Sequence, residues 1–170
     1  DGKTFTLPDV DSPNAFNVCS DSACLHLAWE TELTEYRHII RYIRSDDFGS
    51  SWSEARQVLD YDGGNYLGLS GLAACAGGHV FVSYQWSSDR YTIDAGRHSH
   101  DGGLTWTDGS AMNRSNTLFR GNGVVLKFGR DMYIPYMYRA CINCSTDWGD
   151  TWENVYTPEN NEFASAYHLA

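Results

Sequence analysis

The chain has 170 residues, 42% of them apolar and 14% aromatic, with six Trp and eleven Tyr. That size and composition suffice for the core of one domain and exclude a disordered chain. Twelve Lys plus Arg against 22 Asp plus Glu give a net charge of −10, which excludes phosphate-backbone binding as the main task, so no nucleic acid partner is expected.

No apolar run approaches the roughly 18 residues of a membrane span, so no membrane span is expected. The chain opens on Asp1 without a charged-then-apolar leader and reads as a soluble, mature or excised product. Along it, helical spacing is almost absent and period-two alternation recurs. Strands are predicted at "LHLAW" (25–29), "YRHIIRYIR" (36–44), "HVFVSYQW" (79–86), "YTIDAGRHS" (91–99), "GVVLKF" (123–128) and "DMYIPYMYR" (131–139), all rich in β-branched and aromatic residues. Clusters such as "DYDGGN", "AGG" and "RGNG" punctuate them as hairpins and loops. The class is all-β.

Three segments share one frame: "SDDFGSSW" (45–52), "SHDGGLTW" (99–106) and "STDWGDTW" (145–152). Their starts lie 54 and 46 residues apart, close to the roughly 40 to 50 residues of one four-stranded propeller blade. In S-x-D-x-G-x-x-W, Ser and Asp can satisfy nearby backbone N–H groups, Gly supplies the positive φ of a reversal, and Trp returns a large ring to the next strand. Ser45, Asp47, Gly49 and Trp52, then Ser99, Asp101, Gly103 and Trp106, then Ser145, Asp147, Gly149 and Trp152 are therefore assigned structural roles.

Five cysteines leave one thiol without an internal partner, and Cys75 is the isolated one. For Cys141-x-x-Cys144 a zinc half-site lacks a second pair of usual spacing, and a redox motif is expected to open a helix. Local disulfides of a secreted protein, among Cys19, Cys24, Cys141 and Cys144, fit best. Two glycosylation sequons, at Asn113 and Asn143, are compatible with secretion. The six histidines form no H-x-x-x-H or H-E-x-x-H pattern, and His98-x-His100 reads as a solvated pair on one strand face. Neither metal nor cofactor is expected.

The three frames resemble the Asp-box (BNR) repeats of the sialidase superfamily, and "GNGVVLKFGRDMYIPYMYR" (121–139) resembles a stretch that sialidases carry before one of their boxes. The resemblance spans nearly the whole chain and implies a six-bladed propeller with the boxes on the outer rim, away from the active site. Sialidases clamp the substrate carboxylate with three arginines, whose planar guanidinium suits that task. At the first of those positions, in "FNVC" (16–19), this chain has Asn17. Where the family has its acid/base Asp, the chain offers Glu30, Glu32 and Glu35; Glu35 is kept as a candidate, though a solvated loop accounts for all three. "NNEFASAYHLA" (160–170) resembles in part the segment that carries the Glu activating the nucleophilic Tyr, which places that role on Glu162. The remaining arginines and the Tyr nucleophile are expected in blades beyond Ala170. Tyr136, Tyr138 and Trp86 are candidate sugar-stacking rings.

The expectation is thus an all-β, sialidase-like β-propeller arc of about three four-stranded blades, at roughly 12–60, 61–115 and 116–160, with a further blade beginning at 161–170. Two functions fit: a non-catalytic extracellular module for a glycan or protein partner, and a portion of an exo-sialidase or related glycoside hydrolase. An open arc exposes apolar faces, so a homo-oligomer that completes the ring is a further expectation.

Overall fold

The structure is a computed structural model that describes residues 13–62, 66–75, 78–87, 92–109, 116–121, 124–134, 137–148 and 150–156. Among the described residues the chain forms strands and no helix. The strands are β1 (Ala15–Ser20), β2 (Leu25–Thr34), β3 (Arg37–Ser45), β4 (Arg56–Asp62), β5 (Tyr66–Cys75), β6 (His79–Ser87), β7 (Thr92–Ser99), β8 (Thr107–Gly109), β9 (Asn116–Gly121), β10 (Val124–Ile134), β11 (Met137–Ser145) and β12 (Glu153–Tyr156). They make three four-stranded antiparallel meanders, β1-β2-β3-β4, β5-β6-β7-β8 and β9-β10-β11-β12. β1 lies against β5, and β5 against β9, so the first strands of successive sheets are neighbours, as in the blades of a propeller.

The middle strands of the first blade are buried on both faces. In β2, His26 through Thr31 are all buried, and β3 buries His38, Ile39, Ile40, Tyr42 and Ile43. Continuous buried runs of this kind belong to a sheet covered on both sides rather than one side facing water. One face supplies Ala28, Ile40, Tyr42 and Val58 to a core shared with Leu67, Leu69, Val80, Val82 and Tyr84 of the second blade. The opposite face gathers Leu27, Trp29 and Ile43 against Trp52. Phe16 and Val18, whose register partners are Trp29 and Leu27, stay exposed.

Two expectations need correction. "DMYIPYMYR" is not one strand: Asp131 pairs with Arg139 and Ile134 with Met137, so the segment holds the end of β10, a reversal and the start of β11. Alternation continues through the segment in the sequence, where only Pro135, which has no N–H for a ladder, signals the break; residues 135 and 136 themselves lie outside the described residues. Cys19, Cys24 and Cys144 are free thiols rather than local disulfides. Cys24 instead turns its Sγ to Asp46 Oδ1 at 3.0 Å; that hydrogen bond, with burial and nearby carboxylates, pushes its pKa up to about 11. Burial pushes Cys19 up to about 12, so both are protonated at neutral pH. The side chain of Cys141 lies outside the described residues.

Candidate functional site

Each meander has two ends. The repeated frame forms the β3–β4, β7–β8 and β11–β12 connections at one end, and the β2–β3 turn with Glu35 and Tyr36 lies at the other. The repeated turns share one hydrogen-bond set. Gly49 N–H donates to Ser45 Oγ at 2.7 Å, Ser45 Oγ donates to Asp47 Oδ1 at 2.8 Å, and Ser51 donates from both N–H and Oγ to the Asp47 carboxylate at 2.7 Å. Ser99, Asp101, Gly103 and Thr105 repeat it, and Ser145, Asp147 and Thr151 repeat its carboxylate half. The hydroxyl before each Trp was missed in reading the sequence, although Ser51, Thr105 and Thr151 occupy it in all three copies. Gly149 lies outside the described residues.

The N–H and hydroxyl donors of Ser51, with Ser45, hold Asp47 down at about 2. At Asp101 burial pushes upward, but bonds from Thr105, Ser99 and Leu104 outweigh it and bring the carboxyl to about 2; Thr151 and Ser145 hold Asp147 well below the ordinary range. Because the folded values are depressed, the stabilisation is complete above the ordinary carboxylate pKa near 4 and is lost as pH falls toward about 2. Acid unfolding followed by Trp fluorescence should begin below pH ~4, and Asp101→Asn should flatten that limb.

The Trp residues act between blades as well as within them. Trp106 meets Tyr42 of the preceding blade edge-on, with centroids 5.3 Å apart, and Trp152 meets Phe81 of its preceding blade at 6.0 Å. Trp52 packs on Leu27, Trp29 and Ile43 of its own blade. Between the first two turns lies a cleft of about 360 Å³, lined among others by Arg44, Asp46, Trp52, Arg56 and Leu104. Its floor includes Gly102, where a Cβ would come 2.0 Å from Arg44 Nη1.

Glu30, Glu32 and Glu35, singled out from the sequence, lie on β2 and the β2–β3 turn, and the structure sorts them. Glu30 is 1% exposed and accepts from His38 Nδ1 at 2.9 Å, with His38 itself 4% exposed. Asn14 Nδ2 reaches Glu30 Oε1 and Glu32 Oε2, each at 3.4 Å. His38 Nε2 is enclosed and has no hydrogen-bond partner among the described residues. The arrangement is a carboxylate-oriented imidazole sealed inside the blade. Glu32 and Glu35 are exposed, the latter on the turn itself.

On the same end Arg37 forms a two-pronged pair with Asp60, Nε to Oδ1 at 3.1 Å and Nη2 to Oδ2 at 2.8 Å. Trp86, which ends the apolar part of β6, is half-buried against Tyr61 at 5.8 Å between centroids and packs on the core shared by two blades. Tyr138 pairs through its backbone with Met132 on β10, but its side chain, like Glu162 and Tyr136 entirely, lies outside the described residues. Asn17 sits half-buried on β1 opposite Ala28. Asp21, Cys24 and His26 also bring potential metal-ligating atoms together near the repeated turn, though the raised thiol of Cys24 is a poor ligand, since metals take the thiolate.

The arrangement of blades matches known architectures. The α-L-arabinofuranosidase Arb93A of Fusarium graminearum, in complex with an iminosugar inhibitor, superposes with TM-score 0.53 at 16% identity, over 86% of this chain and 49% of that one. A neuraminidase-like protein from A/bat/Guatemala/164/2009 gives TM-score 0.55 at 10% identity, over 84% and 38%. Zg3597, a family 117 glycoside hydrolase of the marine bacterium Zobellia galactanivorans, gives 0.52 at 13%, over 94% and 60%. The fold is a sialidase-like β-propeller. The propeller segment spans less than two thirds of the length of each of these structures. No family model matches the chain, and no curated protein does.

Proposed function

We propose that this propeller segment is an extracellular module for recognition of a glycan or protein, non-catalytic as it stands, with the repeated turns serving as Asp boxes. Arg37 carries the reading. At the end away from the turns, its guanidinium already grips a carboxylate of its own blade, Asp60, in the fork geometry that a sialidase would offer its substrate. Asn17 stands where the first clamping arginine is expected, and Glu30 is committed to His38. Among the described residues this end also carries exposed Glu32, Glu35 and Tyr36 and the Tyr61–Trp86 pair, a mixture of polar groups and rings that suits a sugar.

Likeness of fold to glycoside hydrolases and a neuraminidase-like protein supports the second reading, a portion of an exo-sialidase or related hydrolase, with Glu162 and Glu35 as its candidate carboxylates. Fluorogenic sialoside and arabinofuranoside hydrolysis, assayed with the chain and with Glu162→Gln and Glu35→Gln, separates the two. Binding on a glycan panel without turnover is the expected result. Turnover that disappears in Glu162→Gln would sink the non-catalytic reading.

The exposed Phe16 and Val18 beside Trp29 and Leu27 suit a covering blade from further chain or a second copy. Light scattering should give a native mass of at least two chains that falls to one in Phe16→Ser with Val18→Ser. A monomer at every concentration would remove self-association.

A further inference from the structure

At the outer end of the second and third blades, three histidines and an aspartate converge. His98, the next-to-last residue of β7, and His100, the residue after that strand, both aim Nε2 at one atom, Asp150 Oδ1, at 2.6 and 3.1 Å. Asp150 comes from the repeated turn of the third blade, fifty residues away in sequence. His98 is not the solvated residue its alternation suggested: it is 5% exposed, because the third blade's turn covers it.

We propose that His98, His100 and Asp150 bind a divalent transition metal, with zinc as the best fit, and that this metal ties the second blade to the third. Two imidazoles and one carboxylate are a zinc donor set, with a fourth position left for water. Zinc at about 2.0–2.2 Å from each ligand needs ligand atoms roughly 3.3 Å apart, so the His100 to Asp150 edge is already near that value and the shorter edge must open slightly. Asp150 lies on an exposed turn with its side chain 49% accessible, which lets it shift and lets the ion enter. Without a cation, Oδ1 faces both imidazoles while Thr107 Oγ1 also lies 2.7 Å from His98 Nε2; a metal takes the place of the protons facing Asp150, and the Thr107 hydroxyl can turn to the His98 carbonyl, 3.3 Å away.

A neighbouring residue prepares one ligand. His79 Nδ1 lies 2.9 Å from His100 Nδ1; with His100 donating there, its Nε2 keeps the lone pair that a metal needs. His79 in turn stacks flat on Trp148, with centroids 3.6 Å apart and planes 3° from parallel. Trp148 holds a positive φ of 66° in the third turn, a conformation unusual for a large residue. In the first turn the matching residue, Phe48, has φ 54° but is 69% exposed, so this stack is particular to the third.

The test uses the whole chain, stripped with chelator, reloaded with zinc chloride and desalted, with bound metal counted by mass spectrometry. About one zinc per chain should remain, cobalt should give a visible tetrahedral absorption band, and thermal unfolding should move upward with zinc. Asp150→Asn and His100→Ala, both at accessible positions, should weaken binding by at least about tenfold, and His79→Phe by about tenfold through loss of the orienting bond. Retention of no zinc overturns the proposal. So does binding unchanged in Asp150→Asn and His100→Ala, or binding lost instead in Cys24→Ser, which would assign the metal to the cluster at Asp21 and His26.

Discussion

Glu30→Ala is expected to destabilise the chain by about 1–3 kcal/mol, the scale for leaving a buried polar group without its hydrogen-bond partner. Both side chains are almost fully enclosed, so His38 would keep a desolvated Nδ1 with its acceptor gone. Glu30→Gln keeps an acceptor oxygen and should lose far less. Replacing both partners by apolar residues, Glu30→Met with His38→Leu, should recover most of the loss, since the pair has to repay its own desolvation. Urea unfolding of the three variants beside the unsubstituted chain measures the set. Equal losses in Glu30→Ala and Glu30→Gln would show that the charge, rather than the hydrogen bond, matters here.

Gly103→Ala should be the most damaging small change in the repeated turns. Gly103 and Gly49 share a φ of 87°, where an L side chain is strained, at about 1–2 kcal/mol. At Gly49 the added Cβ would meet nothing nearer than Leu25 Cδ1 at 3.6 Å, whereas at Gly103 it would lie 2.1 Å from Tyr42 Cε1. Tyr42 cannot retreat. It is 1% exposed, hydrogen-bonded to His26 Nδ1 at 2.7 Å and met edge-on by Trp106. Overpacking there adds about 1–3 kcal/mol, so Gly103→Ala should reach a total of about 3 kcal/mol or more while Gly49→Ala stays near its strain alone. Similar unfolding midpoints for the two would mean that Tyr42 and its neighbours yield.

The repeated frame was legible in the sequence because every part of it is local: Ser, Asp and Gly satisfy one another within a few residues, and the spacing between copies then counts blades. Strands with strong alternation, such as β3 and β6, were legible for the same reason. β5, written as "YLGLSGLAAC", and the short edge strand β8 carry little pattern of their own and are specified by their partners.

The candidate site was legible only as a set of residue types. Nothing local distinguishes Glu30 from Glu32 or Glu35, because their difference is made by His38 across a hairpin and by coverage on both faces of the sheet. The same limit hid His98, whose cover comes from Asp150 in another blade, and Cys24, whose partner Asp46 follows the neighbouring strand β3.

Trp106 reaches back to Tyr42, and Trp152 back to Phe81. These two turns close over residues that precede them in the chain. During synthesis, the second and third blades leaving the ribosome find these docking residues, Tyr42 and Phe81, already made. The order of translation and the order of assembly run in the same direction, so an interrupted chain would lose its last blade and keep the earlier contacts intact.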